Sequence, residues 1–166
     1  SDTPSITNGF DYTAYWQISN SIIASTNLFT RAITSISSDK DVKISTRLRV
    51  PSRYLKGFEA GKIGPVENND YIGGNYATAL GFKANFPKLF STLQNFDFNL
   101  FIDTANLWGI DYDGSLDDKS KLRSSIGIST DVFTPVGPLS FSLAQPISKA
   151  DTDTTETFRF NLGTTF

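Results

Sequence analysis

Read back from its last residue, the chain alternates. Phe158, Phe160, Leu162, Thr164 and Phe166 fall on one face of an extended segment, and Thr157, Arg159, Asn161, Gly163 and Thr165 on the other. Period-2 alternation marks a β-strand with one apolar and one polar face. The pattern recurs upstream. In "FDYTAYWQIS", Phe10, Tyr12, Ala14, Trp16 and Ile18 alternate with Asp11, Thr13, Tyr15 and Gln17, while "IIASTNLFTRAITSI" is β-rich but alternates less cleanly. "VKISTRLRV" (42–50) sets Val42, Ile44, Leu48 and Val50 against Lys43, Ser45, Arg47 and Arg49. "YATALGFKANF" puts Leu80 and Phe82 opposite Ala77, Ala79, Gly81 and Lys83. "FDFNLFIDTANLW" puts Phe96, Phe98, Leu100 and Ile102 opposite Asp97, Asn99, Phe101 and Asp103. "LRSSIGISTDVF" and "LSFSLA" repeat the scheme, with Arg123, Gly127 and Asp131 on the polar face and Phe141 and Leu143 on the apolar one. With the closing segment, about eight antiparallel strands are predicted, and no amphipathic helix of useful length.

The connections alternate as well. Short turns are predicted at 19–21, 87–95 and 134–138, and longer polar loops at 37–41, 109–120 and 148–155. Short turn followed by long loop is the connectivity of an up-and-down transmembrane β-barrel, with periplasmic turns and external loops. A soluble lipocalin-like barrel or sandwich also alternates, but its apolar face is usually aliphatic and fills a sealed core. Here the apolar face carries Phe, Leu, Tyr and Trp, as a lipid-facing band does. The polar face mixes small and charged residues suited to a wet lumen. In lipid an open strand edge leaves backbone groups unpaired, so a barrel must seal its last strand against its first. The aromatic closing strand suits that task.

Composition narrows the chemistry. Fourteen Phe in 166 residues concentrate the apolar content in large side chains. The chain has no Cys and no His, so disulfides, thiolate or imidazole metal sites and Ser-His-Asp catalysis are excluded. A net charge of −2 argues against nucleic acid as a partner. No stretch reaches the ~18 apolar residues of a membrane helix. Ser at position 1 and the absence of Met point to a processed chain or part of a longer one. Carboxylates such as Asp97 and Asp131 fall on the polar face, but a glycosidase pair needs a substrate cleft, so no enzyme, metal or cofactor is expected.

One segment breaks the barrel pattern. "PSRYLKGFEAGKIGPVENNDYIGG" (51–74) is long, rich in Gly, and carries Tyr54, Leu55, Phe58, Ile63 and Val66, which need somewhere to bury. Within it, "LKGFEAGKIGP" (Leu55, Lys56, Gly57, Phe58, then Ile63, Gly64, Pro65) resembles the Val/Leu-Arg-Gly-Phe and Ile-Gly-Pro motif of the sixth external loop in the BamA family. "GGNYATALGFKANFP", "FIDTANLW", "TPVGPLSFSLAQPISK" and "FRFNLGTTF" resemble that family's following segments in order, from about Arg49 to Phe166.

This resemblance implies the C-terminal half of a sixteen-stranded insertase barrel in the outer membrane of a Gram-negative bacterium. POTRA domains would lie upstream in the parent chain, and nascent outer-membrane proteins, the lipid bilayer and accessory lipoproteins would be partners. It also implies that the loop at about 51–74 folds into the lumen and that the tip residue Lys56 pairs with Asp103. The family's Arg is Lys56 here, which loses the bidentate fork. Lys83 stands at a wall position often acidic in the family and is a rival partner for Asp103, while Glu59 is placed to compensate. Phe158, Phe160, Leu162, Gly163 and Phe166 would form the seam strand, with Gly163 weakening it. The alternatives are a passive pore or POTRA-type secretion channel, or an isolated small barrel without activity of its own.

Overall fold

Alternation becomes structure from the first hairpin. In the computed structural model, which describes residues 3–90, 92–111 and 119–163, β1 (Ser5–Ser19) turns at Asn20 and Ser21 into β2 (Ile22–Ser35). A long connection then carries two single 3₁₀ turns (Ile44–Thr46 and Ser52–Tyr54) and a small hairpin of β3 (Val66–Glu67) and β4 (Asp70–Tyr71). The main sheet resumes with β5 (Tyr76–Asn85), β6 (Phe96–Trp108), β7 (Arg123–Thr134), β8 (Gly137–Ser148) and β9 (Phe158–Leu162). Its seven strands follow the order β1-β2-β5-β6-β7-β8-β9, every neighbour antiparallel. Among the described residues β1 and β9 each pair on one side only, so the sheet is an open wall.

Register aligns like faces across the wall. Leu100, Ile128, Leu143 and Phe158 lie opposite one another in successive ladders, and all four are exposed. On the other face Gly81, Asp103 and Ser125 are aligned, and beside them Lys83, Phe101, Gly127 and Ala144. A Cβ at Gly127 would stand 2.7 Å from the Phe101 ring, so the glycine makes room for it. The first face is an apolar band of the kind lipid covers. The second is the inner wall.

Among the described residues the main sheet holds seven strands where about eight are expected, because 42–50 is not a strand. Strict alternation puts Val42, Ile44 and Val50 on one face, yet Val42 and Val50 are buried at 3% and 6% exposure while Ile44 is 48% exposed. Arg47 turns inward to Asp111 (2.9 Å), and Thr46 N–H folds back onto the Lys43 carbonyl. With an isolated bridge from Leu48 to Gly74 and no neighbouring strand among the described residues, the local turn wins. The connection between β2 and β5 therefore covers 36–75, longer than the predicted loop at 51–74. Phe166, with Thr164 and Thr165, lies outside the described residues.

Candidate functional site: an inward loop and its clasp

The connection lies on the inner wall because its apolar residues match a bed of small ones. Leu55, Phe58 and Ile63 pack with Phe29 of β2, Ala77 and Ala79 of β5 and Ala105 and Leu107 of β6. Tyr54 stacks on Phe29 with ring centroids 4.8 Å apart. The alanines leave the depth that Phe58, 2% exposed, fills. Full burial of a large apolar side chain is worth about 1.5–3 kcal/mol. Three such anchors thus outweigh any single ion pair in holding the loop.

Polar contacts then set where the tip sits. Lys56 Nζ lies 2.9 Å from Asp103 Oδ2, and the Lys56 N–H donates to the same oxygen at 3.0 Å. The ammonium also stands 4.2 Å from the centroid of Phe101. From β7 the Ser125 hydroxyl donates to the Lys56 carbonyl. Gly57 adopts φ +93°, and a Cβ there would stand 3.1 Å from the Cβ atoms of both Ser125 and Ala144. Position 57 needs glycine for its backbone and for its contact with the wall. Gly64, at φ +95°, packs on Leu107, and Pro65 is fully buried beside it.

Of the residues singled out in the sequence, Leu55 to Phe58, Ile63 to Pro65 and Asp103 thus come together. Lys83 does not join them. It is exposed, without a partner among the described residues, and faces a polar cavity of about 350 Å3 with Arg53, Asp131 and Arg159. Glu59 is also exposed, and it makes no ion pair among the described residues. Phe158, Phe160 and Leu162 point outward on β9, whereas Gly163 lies just past that strand at φ +106°, its N–H on the Pro138 carbonyl.

Two arrangements carry more of the site than alternation indicated. Arg123 holds Asp153 in a buried bidentate pair, Nε to Oδ2 at 2.8 Å and Nη2 to Oδ1 at 3.1 Å, which pins the β8–β9 loop to β7. Arg159 on β9 donates to the loop carbonyls of Ser52 and Phe58. An inward arginine on a wall of Ser, Gly and Ala was the signal for both. The described residues include no cluster of three His, Cys, Asp or Glu side chains able to hold a metal ion.

Comparison with known proteins agrees with this architecture. Residues 1–166 match the Omp85 superfamily domain. The outer membrane protein assembly factor BamA of Neisseria meningitidis serogroup B is 27% identical over 139 residues, taking in 68% of this chain and 17% of the relative. The crystal structure of BamA from Haemophilus ducreyi lacking POTRA domains 1-3 is similar with a TM-score of 0.82 at 26% identity, over 96% of this chain and 35% of that one. The chain thus spans only a minor part of the length of these relatives. With its up-and-down wall, its docked inward loop and its edge strand, the chain belongs to the Omp85 superfamily, as a C-terminal barrel portion of the BamA type.

Proposed function

We propose that the chain forms the C-terminal wall of an insertase that folds client β-barrel proteins into the outer membrane of a Gram-negative bacterium. The observation that carries this reading is the loop clasped to the inner wall by Lys56 and Asp103 beside a short edge strand. A docked loop braces the wall beside that strand. β9 lies at the edge of the described sheet, with β8 as its ladder partner, and a strand edge of this kind can pair with an incoming strand. The work is conformational, and no catalytic group is needed for it. Nascent outer-membrane proteins and the bilayer are the partners. POTRA domains in the parent chain and accessory lipoproteins complete the machine.

Proteoliposomes carrying the full-length parent protein test this. They are expected to bring a urea-unfolded client barrel to its protease-protected, heat-modifiable form several-fold faster than empty liposomes. A disulfide joining β9 to the barrel's first strand is expected to remove that gain while the barrel itself stays folded. Ion conductance with no gain in client insertion would replace this reading with the passive secretion pore.

A further inference from the structure

We infer that Arg159 is a positioning residue that ties the edge strand to the inward loop, so that β9 is free to leave the wall only when the loop tip releases. Its purpose rests on the insertase reading; its geometry does not. β8 runs from Gly137 to Ser148, yet β9 pairs with it only between Leu139 and Leu143. One further bond lies past each end of that ladder, Gly163 N–H to the Pro138 carbonyl and Ala144 N–H to the Thr157 carbonyl, both at 2.9 Å, and the second ends the contact on the loop side. The residues before Thr157 turn off the wall and run along the loop instead. Glu156 N–H donates to Gly57 O (2.9 Å), Glu59 N–H to Thr154 O (2.9 Å) and Thr154 N–H to Lys62 O (3.0 Å), around an antiparallel bridge between Phe58 and Thr155. β9 therefore starts from the loop, not from β8.

Arg159 completes this junction. Its Nη1 donates to Ser52 O at 2.8 Å, its Nη2 to Phe58 O at 2.6 Å, and its Nε to Glu156 Oε2 at 3.1 Å. The two carbonyls bracket Lys56, whose own bonds run to β6, β7 and the loop itself. One short tip is thus gripped from three strands, by Asp103 on β6, Ser125 on β7 and Arg159 on β9. Three donors in three fixed directions require a guanidinium. A lysine ammonium is a point charge that cannot reproduce the fork. Phe158 and Phe160, its neighbours on β9, face outward, so this strand reaches the two carbonyls through Arg159.

Amide hydrogen exchange on the full-length parent protein, folded in detergent or lipid without client, tests the coupling. A hydrogen bond to a charged group is strong enough that Arg159→Gln is expected to speed exchange about tenfold or more, both at 158–162 and at 55–63. Arg159→Lys is expected to behave like Arg159→Gln, and Glu156→Gln to give a smaller change at the same two segments. Lys56→Ala is expected to speed exchange at 158–162 as well, and the Lys56→Ala, Arg159→Gln double variant to exceed the larger single effect only slightly. The inference is overturned if Arg159→Gln acts on 158–162 alone, if Lys56→Ala leaves 158–162 unchanged, or if the two effects multiply. Should Arg159→Gln not fold, the Glu156→Gln and Lys56→Ala cycle decides by the same criterion. Failure of client insertion alongside coupled exchange would remove the insertase reading and leave the tie between loop and strand standing.

Discussion

Lys56→Ala removes an ion pair whose carboxylate side chain is 4% exposed and whose ammonium side chain is 21% exposed. Removing one partner of a fully buried pair costs about 3–5 kcal/mol, and of an exposed pair less than ~1. This pair falls between. In the alanine variant the backbone N–H at position 56 still donates to Asp103, so the carboxylate keeps one partner. The ammonium's place 4.2 Å from the Phe101 centroid is lost too, a contact worth ~0.5–1 kcal/mol. Together these give about 2 kcal/mol, or roughly 30-fold in the equilibrium between docked and released loop. Amide exchange at 55–63 under native conditions reads that equilibrium directly. Protection there is expected to drop by this factor, while β6 and β7 change little because their ladders are untouched. Lys62→Ala is the control: an exposed lysine 5.3 Å from the Tyr71 ring, whose removal is expected to cost at most ~0.5–1 kcal/mol. The charge-reversed pair, Lys56→Asp with Asp103→Lys, is expected to recover only part of the loss, since the N–H at position 56 loses its carboxylate acceptor. Equal protection in the Lys56→Ala and Lys62→Ala variants would refute the reasoning.

Gly57→Ala is expected to cost more than Gly61→Ala. Both glycines have positive φ, a penalty of ~1–2 kcal/mol for alanine. At position 57 the new methyl also meets Ser125 and Ala144 at 3.1 Å, whereas nothing lies within 4 Å at position 61. Equal loss of loop protection in the two variants would show that contact with the wall contributes nothing. Spin labels at Phe160 and Asn161 test the faces: lipid-dissolved oxygen is expected to relax the first and not the second, and equal accessibility would exclude the assigned orientation.

The strands of the main sheet were legible because period 2 is written into side-chain size and polarity, as in Phe96 to Ile102. Segment 42–50 misled because its alternation has no neighbouring strand to satisfy among the described residues, and Arg47 meets Asp111 instead. The loop was legible as something buried from Leu55, Phe58 and Ile63, and Asp103 as inward from its strand. Choosing Lys56 over Lys83 as its partner took three-dimensional structure, since both lysines suited the charge. Asp153 was not legible at all. It sits in a polar loop, and its buried partner Arg123 is 30 residues away, so no local pattern connects them. Arg159 was visible as an inward side chain, but its acceptors are backbone carbonyls, which leave no trace in residue type.

The loop's bonds also fix an order in time. Lys56 meets Asp103 across 47 residues and Ser125 across 69, and Arg159 reaches Ser52 across 107. Contacts this distant along the chain form late, because the intervening loops must close before anything rewards them. Until then Leu55, Phe58 and Ile63 stand without their cover, a sticky patch in an unfinished protein. The clasp is complete only once β9 is in place, since Arg159 supplies two of the bonds to the loop backbone. A docked loop is therefore a built-in report that this wall has been completed.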